Sequence, residues 1–197
     1  MPGPPVLEAL DLGIERGFRQ LVEGLSMQVG SGELVQVVGE NGSGKTSLLR
    51  VLAGLIRYGY TGSVHRTVGA LFIAHHSAVK GSLTPLENLR THPSCELFRD
   101  DEAIGLALET VGLTGFEEVP AAALSAGQQR RVNLARLFLT NHPLWFLDEP
   151  FAAIDQRGLE VLEQRFQSHL QTGGAIVMTS HQPLSALKPT QRVALGQ

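Results

Sequence analysis

Residues 34–46 read Leu34-Val35-Gln36-Val37-Val38-Gly39-Glu40-Asn41-Gly42-Ser43-Gly44-Lys45-Thr46, and this stretch decides the fold. Leu34 to Val38 is a short, mostly apolar run that follows the turn residues Gly30-Ser31-Gly32, the composition of a buried strand. Beyond Lys45, Leu48, Leu49 and Leu52 recur at helical spacing, and Gly54 stands where a helix C-terminus is capped. Between strand and helix, Gly39 to Thr46 fits the pattern G-x-x-x-x-G-K-[ST] at every fixed position. Each fixed residue has a task. The glycines let backbone N–H groups turn inward on phosphate oxygens, and the helix N-terminus adds a positive end. Lys45 neutralises the β and γ oxygens, and Thr46 offers its hydroxyl to Mg²⁺. Gly39, Glu40, Asn41, Gly42, Ser43, Gly44, Lys45, Thr46 and Ser47 are therefore the expected nucleotide-binding residues. The competing reading, an ordinary Gly-rich turn, must explain all four fixed residues and both flanking elements by chance.

Around this unit, strands and helices alternate. The opening 38 residues read as β structure, with Leu25 to Val29 alternating apolar and polar. After Tyr60-Thr61-Gly62, Val68 to Ala74 reads as another buried strand, ending at His75-His76. Thr84-Pro85-Leu86-Glu87 is a capping box with proline at the first helical position, so a helix begins there. Asp101 to Val111 carries Ala103, Ile104, Ala107, Leu108 and Val111 at helical spacing, and another helix opens near Ser125. Leu144 to Leu147 and Ala175 to Thr179 are apolar strands, and the segment Gln156 to Leu170 places Leu159, Leu162, Phe166 and Leu170 on one helical face. The pattern predicts an α/β fold, a mainly parallel sheet flanked by helices, interrupted by a helical lobe. The expected division is a core of 1–81 and 140–197 with a helical subdomain at 82–139, all within one domain.

Composition narrows the function classes. A chain of 197 residues with 43% hydrophobic and 18% charged residues is long enough for one well-buried core and is neither disordered nor a membrane bundle. No apolar run approaches the roughly 18 to 20 residues that span a bilayer, so a membrane role needs a partner. The net charge of −3, without a Lys/Arg stripe, argues against nucleic acid as the main ligand. A single cysteine, Cys95, forms no internal disulfide, and MPGPPVLEAL has neither a charged n-region nor an apolar h-region, which favours the cytosol.

Two further motifs carry chemistry. Leu144-Trp145-Phe146-Leu147-Asp148-Glu149 ends an apolar strand on two acids, similar to a Walker B element. There Asp148 would hold Mg²⁺ and Glu149 would polarise the water that attacks the γ-phosphorus. Taken alone, it is equally a solvated acidic turn before Pro150. Leu124-Ser125-Ala126-Gly127-Gln128 places a serine and backbone amides at a helix start, a second phosphate-binding end or an ordinary N-cap. In this company it resembles the signature motif of ABC ATPases, with Ala126 where most have glycine, and the chain reads as a P-loop ABC-type ATPase with an N-terminal antiparallel β part.

That resemblance extends to Ala153-Ile154-Asp155 as the D-loop and to His181 as the switch histidine near the γ-phosphate. Asp155 also suits the N-cap of the following helix, and His181 also suits a surface turn before Pro183. It implies a head-to-tail homodimer in which Lys45 of one copy and Ser125, Gly127 and Gln128 of the other enclose ATP with Mg²⁺.

More specifically, LFIAHH at 71–76, KGSLTPLENL at 80–89, LSAGQQRRVNLARLFL, LDEPFAAID and TSHQPL resemble the ATP-binding subunits of cytochrome c maturation haem exporters over nearly the whole chain. The resemblance implies an integral membrane transporter subunit as partner, a peripheral position on the cytoplasmic face of the inner membrane, and ATP-driven haem delivery for c-type cytochromes. His76 occupies the Q-loop position where the family has glutamine, and would there act as Mg²⁺ ligand and water-orienting group; the other reading is a residue that faces solvent beside His75 without a role. Where an aromatic residue usually stacks on adenine, the chain has Arg16, with Phe18 two residues later. Val79, Leu83, Leu86 and Leu89 are expected to form an apolar dock for the membrane partner.

Overall fold

A computed structural model describes residues 4–95, 100–152, 154–180 and 187–196. His181 and Ala153 lie outside them. The described chain divides into two compact units, one of Met1–Phe72, His142–Pro150 and Phe166–Gln197 and one of Ile73–Asn141 and Phe151–Arg165.

In the first unit, β1 (Leu7–Arg16), β2 (Arg19–Val29) and β4 (Tyr60–Arg66) form an antiparallel sheet in the order β2-β1-β4. Strand β4 is not among the strands expected from the sequence. Its burial is slight along its whole length and Gly62 interrupts it, so the period-2 signal of a half-buried strand is missing. Its place comes from pairing with β1, Leu7 opposite Arg66 and Ile14 opposite Tyr60, a contact distant in sequence.

The second sheet has the order β5-β6-β7-β3-β8, with β3 (Leu34–Val38), β5 (Ala70–Ile73), β6 (Leu144–Asp148), β7 (Ala175–Thr179) and β8 (Gln191–Ala194). Strand β3 lies parallel to both β7 and β8, and β6 parallel to β7. Strands β6 and β7 are buried at every position, which is why they read as continuous apolar runs rather than alternating ones. Helix α1 (Lys45–Leu52) buries Leu48, Leu49, Val51 and Leu52 in a core with Leu7, Ala9, Val35, Val37, Phe146 and Val177 of both sheets. The parallel strands thus deliver Val38, Asp148 and Thr179 to one carboxyl edge, the edge at which α/β sheets bind ligands.

The second unit is mainly helical. Helix α2 (Pro85–Thr91) has the expected capping box: the Thr84 hydroxyl accepts from the Glu87 amide at 3.2 Å and the Glu87 carboxylate accepts from the Thr84 amide at 2.9 Å. Helix α3 (Asp101–Thr110) is capped by Asp100, and α4 (Ala126–Ala135) by Ser125. Helix α5 (Gln156–Gln171) begins at Asp155, whose carboxylate accepts from the Gly158 amide at 2.8 Å. Leu89, Ile104, Leu108, Leu113, Leu124, Val132 and Leu139 form the core of this unit. The expected dock at Val79, Leu83, Leu86 and Leu89 is not an exposed patch. Leu89 is fully buried in this core, Val79 and Leu86 pack against it, and Leu83 is half-buried.

Arg136 is buried beside His92, with its Nη1 2.6 Å from the imidazole Nε2. Burial first, then the charges of Arg136 and Lys80, push His92 down to about 4. The unfolded chain takes this proton near 6.5, so on acidification between about pH 6.5 and 4 only the unfolded state gains it, and stability falls as pH falls. His92 is half-buried, so solvent screening reduces the effect to on the order of 1 kcal/mol between pH 7 and 5. Urea titrations at the two pH values should show this loss shrinking in His92→Gln, which keeps an acceptor for Arg136; an unchanged pH dependence would remove His92 as its source.

Candidate functional site

The loop from Gly39 to Gly44 is closed by contacts only glycine permits. A Cβ on Gly39, at φ +153°, would lie 2.6 Å from the Ser43 hydroxyl and 2.7 Å from the Leu195 carbonyl oxygen. One on Gly44, at φ +101°, would lie 2.9 Å from Leu21 Cβ. Gly44 is also the N-cap of α1 and supplies no side-chain cap, so the first-turn amides have no partner within the helix and remain available to an anion.

Two polar groups in the loop point to the same ligand. The Ser43 hydroxyl is buried without a hydrogen-bond partner. The Lys45 ammonium, on a residue 9% exposed, donates to the carbonyl oxygens of Gly39 at 2.8 Å and Glu40 at 3.0 Å, and has no ion-pair partner among the described residues. A buried cation facing open amides is a cradle for phosphate oxygens.

Asp148 ends β6 and is 2% exposed. Its Oδ2 accepts from the Thr46 hydroxyl at 2.8 Å, and its Oδ1 accepts from the Thr179 hydroxyl at 2.9 Å. The same Thr179 oxygen accepts from the Glu149 amide at 2.9 Å. Thr179, read in the sequence only as the end of an apolar strand, therefore orients the first acid and anchors the backbone of the second. Its role follows from register: Asp148 and Thr179 are direct partners in the parallel β6–β7 pairing. Glu149 adopts φ +50°, a left-handed conformation costing roughly 1–2 kcal/mol, which turns the chain out of the sheet.

Lys45, Thr46, Asp148, Glu149 and Thr179 thus assemble within the first unit. Thr46 and Asp148 are adjacent hard oxygen donors, the kind Mg²⁺ takes, and among the described residues no cluster of three or more His, Cys, Asp or Glu would hold a metal by itself. The rest of such a shell falls to phosphate and water.

The second unit holds His75, His76, Ser125 and Asp155. Ser125 is exposed and forms a capping box with Gln128: its hydroxyl accepts from the Gln128 amide at 3.2 Å, and Gln128 Oε1 accepts from the Ser125 amide at 2.9 Å. Gly127 lies in the same first turn of α4. Arg130, one turn further on, is 4% exposed and donates to the carbonyl oxygens of Ala74 and His75, so α4 holds the backbone that leads into His76. His76 itself is exposed and lies edge-on to His75, ring centroids 5.1 Å apart. Asp155 pairs with Arg131; the Gly158 amide first, then Arg131, hold its carboxyl below the ordinary range against the opposing effect of desolvation. Phe18, one of the two aromatic-side candidates, is fully exposed and has no place in the core.

The ABC transporter family profile matches residues 22–152. The chain is 47% identical over 209 residues to the cytochrome c biogenesis ATP-binding export protein CcmA of Pseudomonas savastanoi pv. phaseolicola, covering 100% of this chain and 98% of that protein. It is 46% identical over 206 residues to the protein of the same name from Vibrio cholerae, covering 97% and 99%. Among solved structures, a dimeric post-hydrolysis ATP-binding cassette bound to ADP and Pi matches with a TM-score of 0.81 at 20% identity, covering 96% of this chain and 94% of that one. A putative ABC transporter ATP-binding protein from Pyrococcus furiosus matches at 0.78 and 24% identity, covering 96% of each. These two share the α/β fold described above. The chain belongs to the ABC transporter family, as an ATP-hydrolysing subunit within its group of cytochrome c biogenesis ATP-binding export proteins.

Proposed function

We propose that the chain hydrolyses Mg²⁺-ATP at the Gly39–Thr46 loop and that this drives haem delivery for c-type cytochromes through an integral membrane transporter subunit. The observation that carries the chemistry is the Asp148 carboxylate shared by the Thr46 and Thr179 hydroxyls, with Glu149 anchored beside it. Thr46 and Asp148 hold Mg²⁺, while Lys45, Ser43 and the amides of Gly42, Gly44, Lys45, Thr46 and Ser47 bind the phosphates together with the Gly39, Glu40 and Asn41 backbone. When bound, Mg²⁺ neutralises charge that develops on the phosphate oxygens. Glu149 takes the proton of the attacking water.

Ser125, Gly127 and Gln128 of a second copy close the nucleotide from the opposite side, which makes a two-fold dimer with two ATP sites. His181 acts there as the switch histidine. Losing the γ-phosphate opens the dimer, and the opening is the mechanical output. The relatives' export role supports the assignment to transport. Among the described residues no helix is long and apolar enough to cross a membrane, in keeping with a peripheral subunit at the cytoplasmic face of the inner membrane. Affinity purification from detergent-solubilised membranes should recover an integral membrane subunit; co-sedimentation with ribosomes in its place would overturn the transport reading.

His76 stands in for the Q-loop glutamine as water-orienting group and Mg²⁺ ligand. A glutamine amide offers a neutral oxygen to Mg²⁺ and both a donor and an acceptor to water. His76→Gln is therefore expected to keep or raise ATPase activity, and His76→Ala to lower it and raise its Mg²⁺ requirement. His76→Ala with the activity and Mg²⁺ requirement of wild type would discard this role.

A further inference from the structure

We propose that Arg19 is a nucleotide-binding residue, a cation at the rim of the phosphate loop that engages the phosphate chain of ATP. The proposal rests on the reading of Gly39–Thr46 as the phosphate site.

Arg19 opens β2, immediately after the turn at Gly17-Phe18. A Cβ built on Gly42 would lie 4.0 Å from Arg19 Nη1, so the guanidinium borders the tip of the loop. Leu21, two residues further on, lies against Gly44. The start of β2 thus borders the phosphate loop at both Gly42 and Gly44.

A second observation points to an anion there. In the β1–β2 hairpin Arg16 and Arg19 are direct cross-strand partners, an arrangement in which like charges destabilise the sheet. The neighbouring pair, Glu15 with Gln20, brings one acid on the other strand, yet neither arginine side chain has an ion pair or hydrogen bond among the described residues. Both are exposed. Two solvated surface arginines would account for their exposure but not for their pairing at the hairpin end beside a loop that already holds the buried Lys45 ammonium. An anionic ligand accounts for both, since it turns repulsion within the hairpin into attraction towards the loop.

The phosphate chain is favoured over the base because Arg19 Nη1 lies 4.0 Å from the position a Cβ on Gly42 would take, within the loop read as the phosphate cradle. A planar guanidinium donates two parallel hydrogen bonds to phosphate oxygens, whatever base is attached. Arg19 thereby adds affinity without base selectivity.

The test uses the full chain and two probes, ATP and inorganic tripolyphosphate, each measured by competition against a fluorescent ATP analogue. Arg19→Gln should weaken both by the same factor, about 3- to 20-fold, and Arg19→Lys should recover part of it. The salt dependence of ATP binding should become shallower in Arg19→Gln. Because Arg19 is exposed and faces a like charge on β1, the variant's melting temperature should equal or exceed that of wild type, separating a binding loss from misfolding. Unchanged ATP affinity, a loss confined to ATP, or tripolyphosphate that fails to compete with wild type would each overturn the proposal. Retained ATP binding in Lys45→Ala would overturn the phosphate-loop reading itself, a result distinct from any seen with Arg19.

Discussion

Lys45→Ala is expected to raise the Kd for ATP by roughly 100-fold or more while leaving the protein folded. The Lys45 ammonium is nearly buried, and its two hydrogen bonds in the nucleotide-free loop go to the carbonyl oxygens of Gly39 and Glu40. These are neutral acceptors on the loop itself, so the charge is held in position without being neutralised. A hydrogen bond to a charged group contributes about 1.5–3 kcal/mol, and the β and γ oxygens together would take at least one such bond in addition to the Coulombic attraction. Losing about 3 kcal/mol is losing two orders of magnitude in affinity. The fold tolerates the change because Leu48, Leu49, Val51 and Leu52 anchor α1 and the loop keeps its glycine-dependent closure. Calorimetric titration with ATP, beside circular dichroism of the same sample, checks both halves; micromolar affinity in a folded Lys45→Ala protein would sink the phosphate-loop assignment.

How readily each part of this site could be read from sequence follows how local its determinants are. The strand–loop–helix unit around Gly39–Thr46 was legible because strand, glycines, lysine and helix are contiguous. The same holds for the capping box at Thr84–Glu87 and for Ser125 and Asp155 as N-caps of α4 and α5, each decided within four residues. Strand β4 was not legible, since its polar sequence becomes a strand only by pairing with β1 about fifty residues earlier. Thr179 illustrates the same limit at the site. The run Ala175 to Thr179 announces a buried strand, but which residue of β7 falls level with Asp148 is fixed by register across two strands. The dock expected at Leu89 failed for a related reason: an apolar residue in a segment is equally suited to the unit's own core and to a partner, and Leu89 is in the core.

Glu149→Gln is expected to bind ATP as wild type does and to hydrolyse it 10²- to 10⁴-fold more slowly, the range a positioned general base contributes. The exchange is nearly isosteric. What places residue 149 is its backbone: the amide held by Thr179 at 2.9 Å and the φ of +50° as the chain leaves β6. Both features are indifferent to whether the side chain ends in a carboxylate or a carboxamide, and the left-handed conformation costs the two residues about the same. Thr46, Asp148 and Lys45 are untouched, so the phosphate site and the proposed Mg²⁺ site keep their donors. Only the capacity to accept a proton from water is removed. Binding without turnover should leave the γ-phosphate in place between two copies, so ATP with Mg²⁺ should shift the Glu149→Gln protein from monomer to dimer on a sizing column, while ADP should not. If the variant hydrolyses ATP near the wild-type rate, the proton acceptor lies elsewhere. A low rate with ATP bound but no dimer would keep Glu149 as the base and remove the two-copy closure through Ser125.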